Sequence, residues 1–146
     1  MLASMCLALA LFHEARGEPI VGQMMVARVI YNRIESPRWP DNMCDVIKQG
    51  KQFSFVRKGN VPKPKDKEAW AKSQKLAAKI IKNPEILPYT DVDHYHTTEV
   101  RPVWRRKLHR IARIGKHIFY SYKQPKPIEV SIRPITRRSR VNQSSN

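Results

Sequence analysis

Apolar residues at Leu2, Met5, Cys6, Leu9 and Phe12 recur at three- and four-residue spacing, the period of an amphipathic helix. Extending that stripe brings the chain to His13 and Glu14, and Gly17 and Pro19 break the helix directly afterwards. Pro19 suits the first turn of a second helix to about Ile34, with Val21, Met25, Val29 and Ile30 on its apolar side. Gly22 is small enough there for another segment to approach closely. Ser36 to Asp41 is a proline-punctuated loop carrying Trp39, and Asn42 caps a short helix through Lys48 that Gly50 closes. Residues 52–56 alternate polar and apolar, which predicts a strand with Gln52 and Ser54 on one face and Phe53 and Phe55 on the other. A basic, proline-containing loop follows to Lys67. Asp66 caps a third long helix to about Lys82, with Ala69, Trp70, Leu76, Ala77, Ile80 and Ile81 on its buried side. Ile111 to Ile114 and His117 to Tyr122 read as two strands joined by a tight hairpin at Gly115-Lys116. The expectation is an α+β fold of about three main helices and a small antiparallel sheet.

An acid that closes an apolar helix changes this picture. Desolvation and the negative end of the helix dipole both make Glu14 costly to ionise, and a carboxylic acid that keeps its proton near neutral pH is what general acid catalysis needs. The plainer reading is a partly exposed carboxylate paired with Arg16 or another basic residue. Tyr31 and Asn32 lie on the polar side of the second helix, where surface and capping roles compete with a place in a binding site. Asp91, Asp93, His94, His96 and Glu99 cluster within a few residues. Two imidazoles two apart on a strand can share an ion, with His117 as a third ligand, but His13-Glu14 lacks the second histidine of a helical zinc motif. No metal or other cofactor is expected. Trp104 is a large flat ring, suited to a core or to stacking on a sugar.

At 146 residues the chain is long enough for one domain with its own core. Its formal charge of +16 draws it to polyanions: nucleic acid, anionic lipid headgroups or acidic polymers of a bacterial envelope. From Lys123 the composition becomes basic and proline-rich, which reads as a flexible tail over 123–146 after a folded domain over 1–122, with one edge strand at Ile128 to Ile132. Cys6 and Cys44 form no disulfide framework or metal spacing and read as buried free thiols, consistent with synthesis in a reducing compartment. The opening apolar run lacks a basic leader and a small-residue cleavage site, and it is too short to span a bilayer. It reads as the first core helix rather than an export signal or a transmembrane segment.

The run Leu11-Phe12-His13-Glu14-Ala15-Arg16-Gly17-Glu18-Pro19, then Gly22-Gln23 and Val29-Ile30-Tyr31-Asn32-Arg33, resembles the opening of the spore-cortex-lytic cell-wall hydrolases of the SleB/CwlJ type. Cys44-Asp45-Val46-Ile47, Gln52-Phe53-Ser54, Tyr95-His96, Pro102-Val103-Trp104 and Ile114-Gly115-Lys116-His117-Ile118-Phe119-Tyr120 fit in the same order. Each piece is weak alone; in register over residues 2 to 122 they are specific.

The resemblance implies a lysozyme-like arrangement, with the acid at a helix end facing a sheet across a glycan cleft. It implies cleavage of peptidoglycan strands after N-acetylmuramic acid by a lytic transglycosylase, with Glu14 as acid and then base and a 1,6-anhydro product. Gln52, Ser54, Tyr95, His96 and Trp104 become substrate-binding candidates, and Glu18, Tyr31, Asn32 and His117 supporting ones. Glu18 is assigned a structural role, holding Arg16 or the start of the second helix, with a hydrolase partner as the alternative. The lack of wall-anchoring repeats, the high charge and the absence of an export signal suggest a stand-alone endolysin of the bacteriophage type. It would be made in the bacterial cytoplasm and act on the wall after the membrane is breached. Its basic surface would hold it to the anionic envelope. Three alternatives remain: a muramidase using water on the same bond, a zinc hydrolase on His94, His96 and His117, and a nucleic-acid-binding module without enzyme activity, although no recognised nucleic-acid motif is present.

Overall fold

The computed structural model describes residues 2–49 and 62–124. Helices α1 (Ala3–Ala15), α2 (Ile20–Ile34), α3 (Met43–Lys48) and α4 (Lys67–Lys82) come first, followed by strands β1 (His94–Thr97), β2 (His109–Ile114) and β3 (His117–Ser121). Short 3-10 turns cover Pro84–Ile86 and Val103–Lys107. The sheet is antiparallel in the order β1-β3-β2. The fold is therefore α+β, with three long helices, one short one and a small sheet, as the hydrophobic pattern predicts. The predicted strand over 52–56 and the tail beyond residue 124, with its edge strand, lie outside the described residues.

Helix α1 differs from the amphipathic element expected of it. Every residue from Cys6 to Phe12 is buried, whereas Leu2 and Met5, on the predicted stripe, are exposed. The reason is its position: α2, α3 and α4 all pack on α1, so its central turns have no solvent side. Leu7 and Leu11, off the stripe, are fully buried and join Val26, Val29, Ile30, Val46, Ala77, Ile80 and Phe119 in one core. Val21 on α2 is likewise exposed, while Met25, Val29 and Ile30 are buried as expected. Asn42 and Asp66 cap α3 and α4 through bonds from the backbone N–H of Asp45 (3.0 Å) and Ala69 (3.1 Å).

The cysteines overturn the free-thiol reading. Cys6 of α1 and Cys44 of α3 form a disulfide, their Cα atoms 5.4 Å apart. Packing of α3 across the start of α1 brings together two residues that sequence spacing leaves far apart. A disulfide is characteristic of oxidising compartments, so the cysteines give no support to a reducing one.

The hairpin is placed by α2 and by the turn that precedes it. A side chain at Gly22 would meet Ile114 of β2 at 3.3 Å, so the glycine admits the hairpin against α2. Gly115 has φ +55°, and a Cβ there would lie 2.7 Å from Glu18 Oε1. Among the described residues no helix is long and apolar enough to cross a membrane.

Candidate active site

Glu14 is the penultimate residue of α1 and is partly buried. The sheet lies opposite, and the Tyr95 phenol of β1 faces the Glu14 carboxylate closely enough to feel its charge. Tyr95 is itself buried, at 3% exposure. Burial, then the negative charge of Glu14, push its phenol well above the ordinary range, with Arg33 pulling the other way. Tyr95 therefore keeps its proton, with its hydroxyl on the side of the acid that ends the central helix.

A second carboxylate lies four residues on and does something else. Glu18 Oε1 accepts the backbone N–H of Lys116 at 2.8 Å and faces His117 Nδ1 at 3.5 Å. Glu18 thus clamps the β2–β3 turn rather than holding Arg16, which donates to the Phe12 carbonyl (3.1 Å) and sits over the Phe12 ring. His117 is buried between Glu18 and Tyr95, its ring centroid 5.1 Å from that of Tyr95. Burial lowers its pKa, and Glu18 opposes that shift without cancelling it. Glu14, Tyr95, His117 and Glu18 form one continuous set of neighbours along the inner face of the sheet.

The remaining candidates separate. Strand alternation puts Tyr95 on the inner face with Phe119 and His117, and His94 and His96 on the outer face with Tyr120. His96 is buried there. Its Nδ1–H donates to the Thr97 carbonyl at 2.7 Å, so in the neutral ring Nε2 accepts the Tyr120 hydroxyl, also at 2.7 Å. Trp104 packs on His94, His96 and Tyr120. Neither His96 nor Trp104 therefore shares a face with Glu14. The same alternation separates His94 and His96 from His117, which dismantles the three-histidine metal site.

Asn32 donates to the carbonyls of Thr90 (2.8 Å) and Val92 (2.7 Å) and so guides the chain into β1; Tyr31 packs against the core. Gln52 and Ser54 lie outside the described residues, whereas Pro62, the first described residue after them, accepts a bond from His13 Nε2 at 2.9 Å.

Two residues that were not among the site candidates support the site. Arg33 is buried, donates to the Asp93 carbonyl at 2.7 Å and lies over the Trp39 ring. Burial brings its pKa down to about 10, leaving it charged at neutral pH. Asp93 accepts from the Tyr122 backbone N–H (3.2 Å) and contacts His94 Nδ1 (2.8 Å), tying the start of β1 to the end of β3. Arg33 follows Val29 and Ile30 at helical spacing, so its place on the buried stripe of α2 was a readable signal.

A profile of the cell wall hydrolase family matches residues 17–120. The chain belongs to the cell wall hydrolase family. Spore cortex-lytic enzymes are among its relatives: that of Halalkalibacterium halodurans is 35% identical over 116 residues, covering 77% of this chain and 33% of that protein. That of Bacillus subtilis is 36% identical over 124 residues, covering 77% and 35%. This chain thus spans about a third of the length of these relatives. The catalytic domain of the germination-specific lytic transglycosylase SleB from Bacillus anthracis superposes with a TM-score of 0.65 at 29% identity, covering 82% of this chain and 93% of that domain. The SleB catalytic domain of Bacillus cereus gives 0.64 at 29%, covering 82% and 89%. Within the chain, Glu14 lies just before the matched span, while Glu18, Tyr95 and His117 lie inside it.

Proposed function

We propose that this cell wall hydrolase cleaves peptidoglycan glycan strands after N-acetylmuramic acid as a lytic transglycosylase. The observation that carries the reading is Glu14 at the end of α1, facing the Tyr95 phenol on the opposite sheet. Glu14 protonates the glycosidic oxygen as the bond to C1 breaks. The resulting carboxylate takes the proton of the muramic acid C6 hydroxyl as that oxygen attacks C1 and closes a 1,6-anhydro ring. The helix C-terminus favours the neutral acid before the first step, and the Tyr95 donor steadies the carboxylate after it. The likeness to the catalytic domain of the lytic transglycosylase SleB supports the same chemistry.

Glu18 bears on the choice between ring closure and hydrolysis. Hydrolysis by either common route uses a second carboxylate, to activate water or to attack the sugar. Glu18 is the nearest other carboxylate along the chain, and it is bound to the hairpin turn. That favours ring closure by the substrate's own hydroxyl. The Cys6–Cys44 disulfide fits work outside the membrane, where oxidising conditions keep it.

Mass spectrometry of muropeptides released from purified walls tests the reading. Products lighter by one water than the hydrolytic ones are expected; products of full hydrolytic mass would make the protein a muramidase instead. Glu14→Gln is expected to lower strand cleavage by at least about 100-fold, the scale of a lost general acid, with an unchanged melting temperature. Full activity in that variant would remove Glu14 from the mechanism.

A further inference from the structure

The outer face of the sheet carries a second site. Four arginines, Arg101, Arg105, Arg110 and Arg113, rim a cavity of about 280 Å³ with His96 and Tyr120 among its lining residues. Among the described residues no carboxylate lines it. Among the described residues the ion pairs are Lys72–Glu68, His94–Asp93 and His117–Glu18, none of which neutralises these arginines.

The cluster is built by the fold. Arg110 and Arg113 are three apart, so a regular strand would send them to opposite faces. A bulge between Arg110 and Ala112 changes the register, pairing Arg110 with Tyr120 and Arg113 with Ile118. Both arginines then face the His96 side of the sheet. The segment running through the 3-10 turn Val103–Lys107 adds Arg101 and Arg105 from the far rim.

We propose that this pocket binds the phosphodiester groups of a polyol-phosphate polymer of the bacterial wall. Four guanidinium forks converging on one concavity match phosphate oxygens, which accept paired N–H bonds from several donors at once. The same chemistry on a nucleic acid would call for ring faces open to base stacking. Here His96 and Tyr120 are buried and bonded to each other, and Trp104 packs on both rings. The pocket takes phosphate and polyol but offers no platform for a base. Because Glu14 engages Tyr95 on the inner face, the polymer is held while the glycan site stays free. The wall as the source of the phosphate rests on the peptidoglycan reading above; the anion site does not.

Co-sedimentation with walls bearing poly(glycerol phosphate), and with the same walls stripped of it by hydrofluoric acid, tests the proposal. The double variant Arg105→Gln/Arg110→Gln is compared with Lys75→Gln/Lys79→Gln on α4, which removes the same charge elsewhere. The arginine variant is expected to bind intact walls about tenfold more weakly than the parent, as befits the loss of two solvent-screened charge contacts. The lysine variant should bind like the parent, all three should bind stripped walls alike, and both variants should cleave stripped walls at the parent rate. Equal weakening in the two variants, or equal parent binding to both wall preparations, overturns the site. A short DNA duplex that competes as well as isolated poly(glycerol phosphate) overturns the assigned polymer. If the parent fails to cleave stripped walls, the enzymatic reading falls while the binding comparison still decides the pocket.

Discussion

At the residue scale the site depends on one pairing, the Tyr95 phenol against the Glu14 carboxylate. Tyr95→Phe keeps the buried ring, which packs on Phe119 and His117, and deletes only the donor. A phenol that donates to a carboxylate stabilises its charged form. Removing it should therefore move the Glu14 limb of the pH–rate profile to higher pH and lower kcat about tenfold, with little change in KM. An unmoved limb would mean that Tyr95 serves packing alone. Tyr95 and Glu14 each had a readable cue, since one closes an apolar helix and the other sits in a short strand beside a histidine. Their contact had none: it spans 81 positions, from 14 to 95, and exists only because α1 ends against the sheet. His96 shows the converse. It adjoins Tyr95 in the chain, yet strand alternation turns it to the other face and into a bond with Tyr120.

At the scale of elements, local rules worked where an element's own residues decide its ends. Asn42 and Asp66 cap as read, α2 and α4 run over the expected ranges, and Gly115-Lys116 makes the hairpin turn. They failed for α1, whose all-round burial comes from three neighbouring helices rather than from its own period. They failed for the cysteines too, because only the crossing of α1 and α3 makes Cys6 and Cys44 neighbours. That bond closes a 38-residue separation and anchors the start of the helix that carries Glu14 at its other end. Replacing both cysteines by alanine should cost about 3–4 kcal/mol of stability on loop-entropy grounds. Urea titrations of the oxidised protein, the reduced protein and the double variant would measure it. A coincident midpoint for all three would show that apolar packing alone joins α1 to α3.

At the scale of the whole molecule, the high positive charge was plain from composition, but its arrangement was not. Only the bulge at Arg110/Ala112 and the turn at Val103–Lys107 gather arginines on one sheet face. Stability against pH is likewise a property of the assembled fold. His13 and His117 both have pKa values below their ordinary 6.5, and for each the main cause is burial. At His13 the Pro62 carbonyl opposes the shift and Arg16 adds to it; at His117 the Glu18 carboxylate opposes it, beside the rings of Tyr95 and Phe119. Below pH 6.5 the unfolded chain therefore binds protons that the folded chain still refuses. The stability from these neutral rings is complete above the unfolded value and declines as pH falls below it, until the lower folded values are reached. The melting temperature should thus be level above about pH 7 and drop on acidification before the carboxylates, near pH 4, begin to titrate. His117→Gln should start from a lower melting temperature, since its packing is disturbed, but lose less of it across that window. An unchanged slope in the variant would place the acid sensitivity elsewhere, because the constant cost of substitution cannot mimic a change in slope.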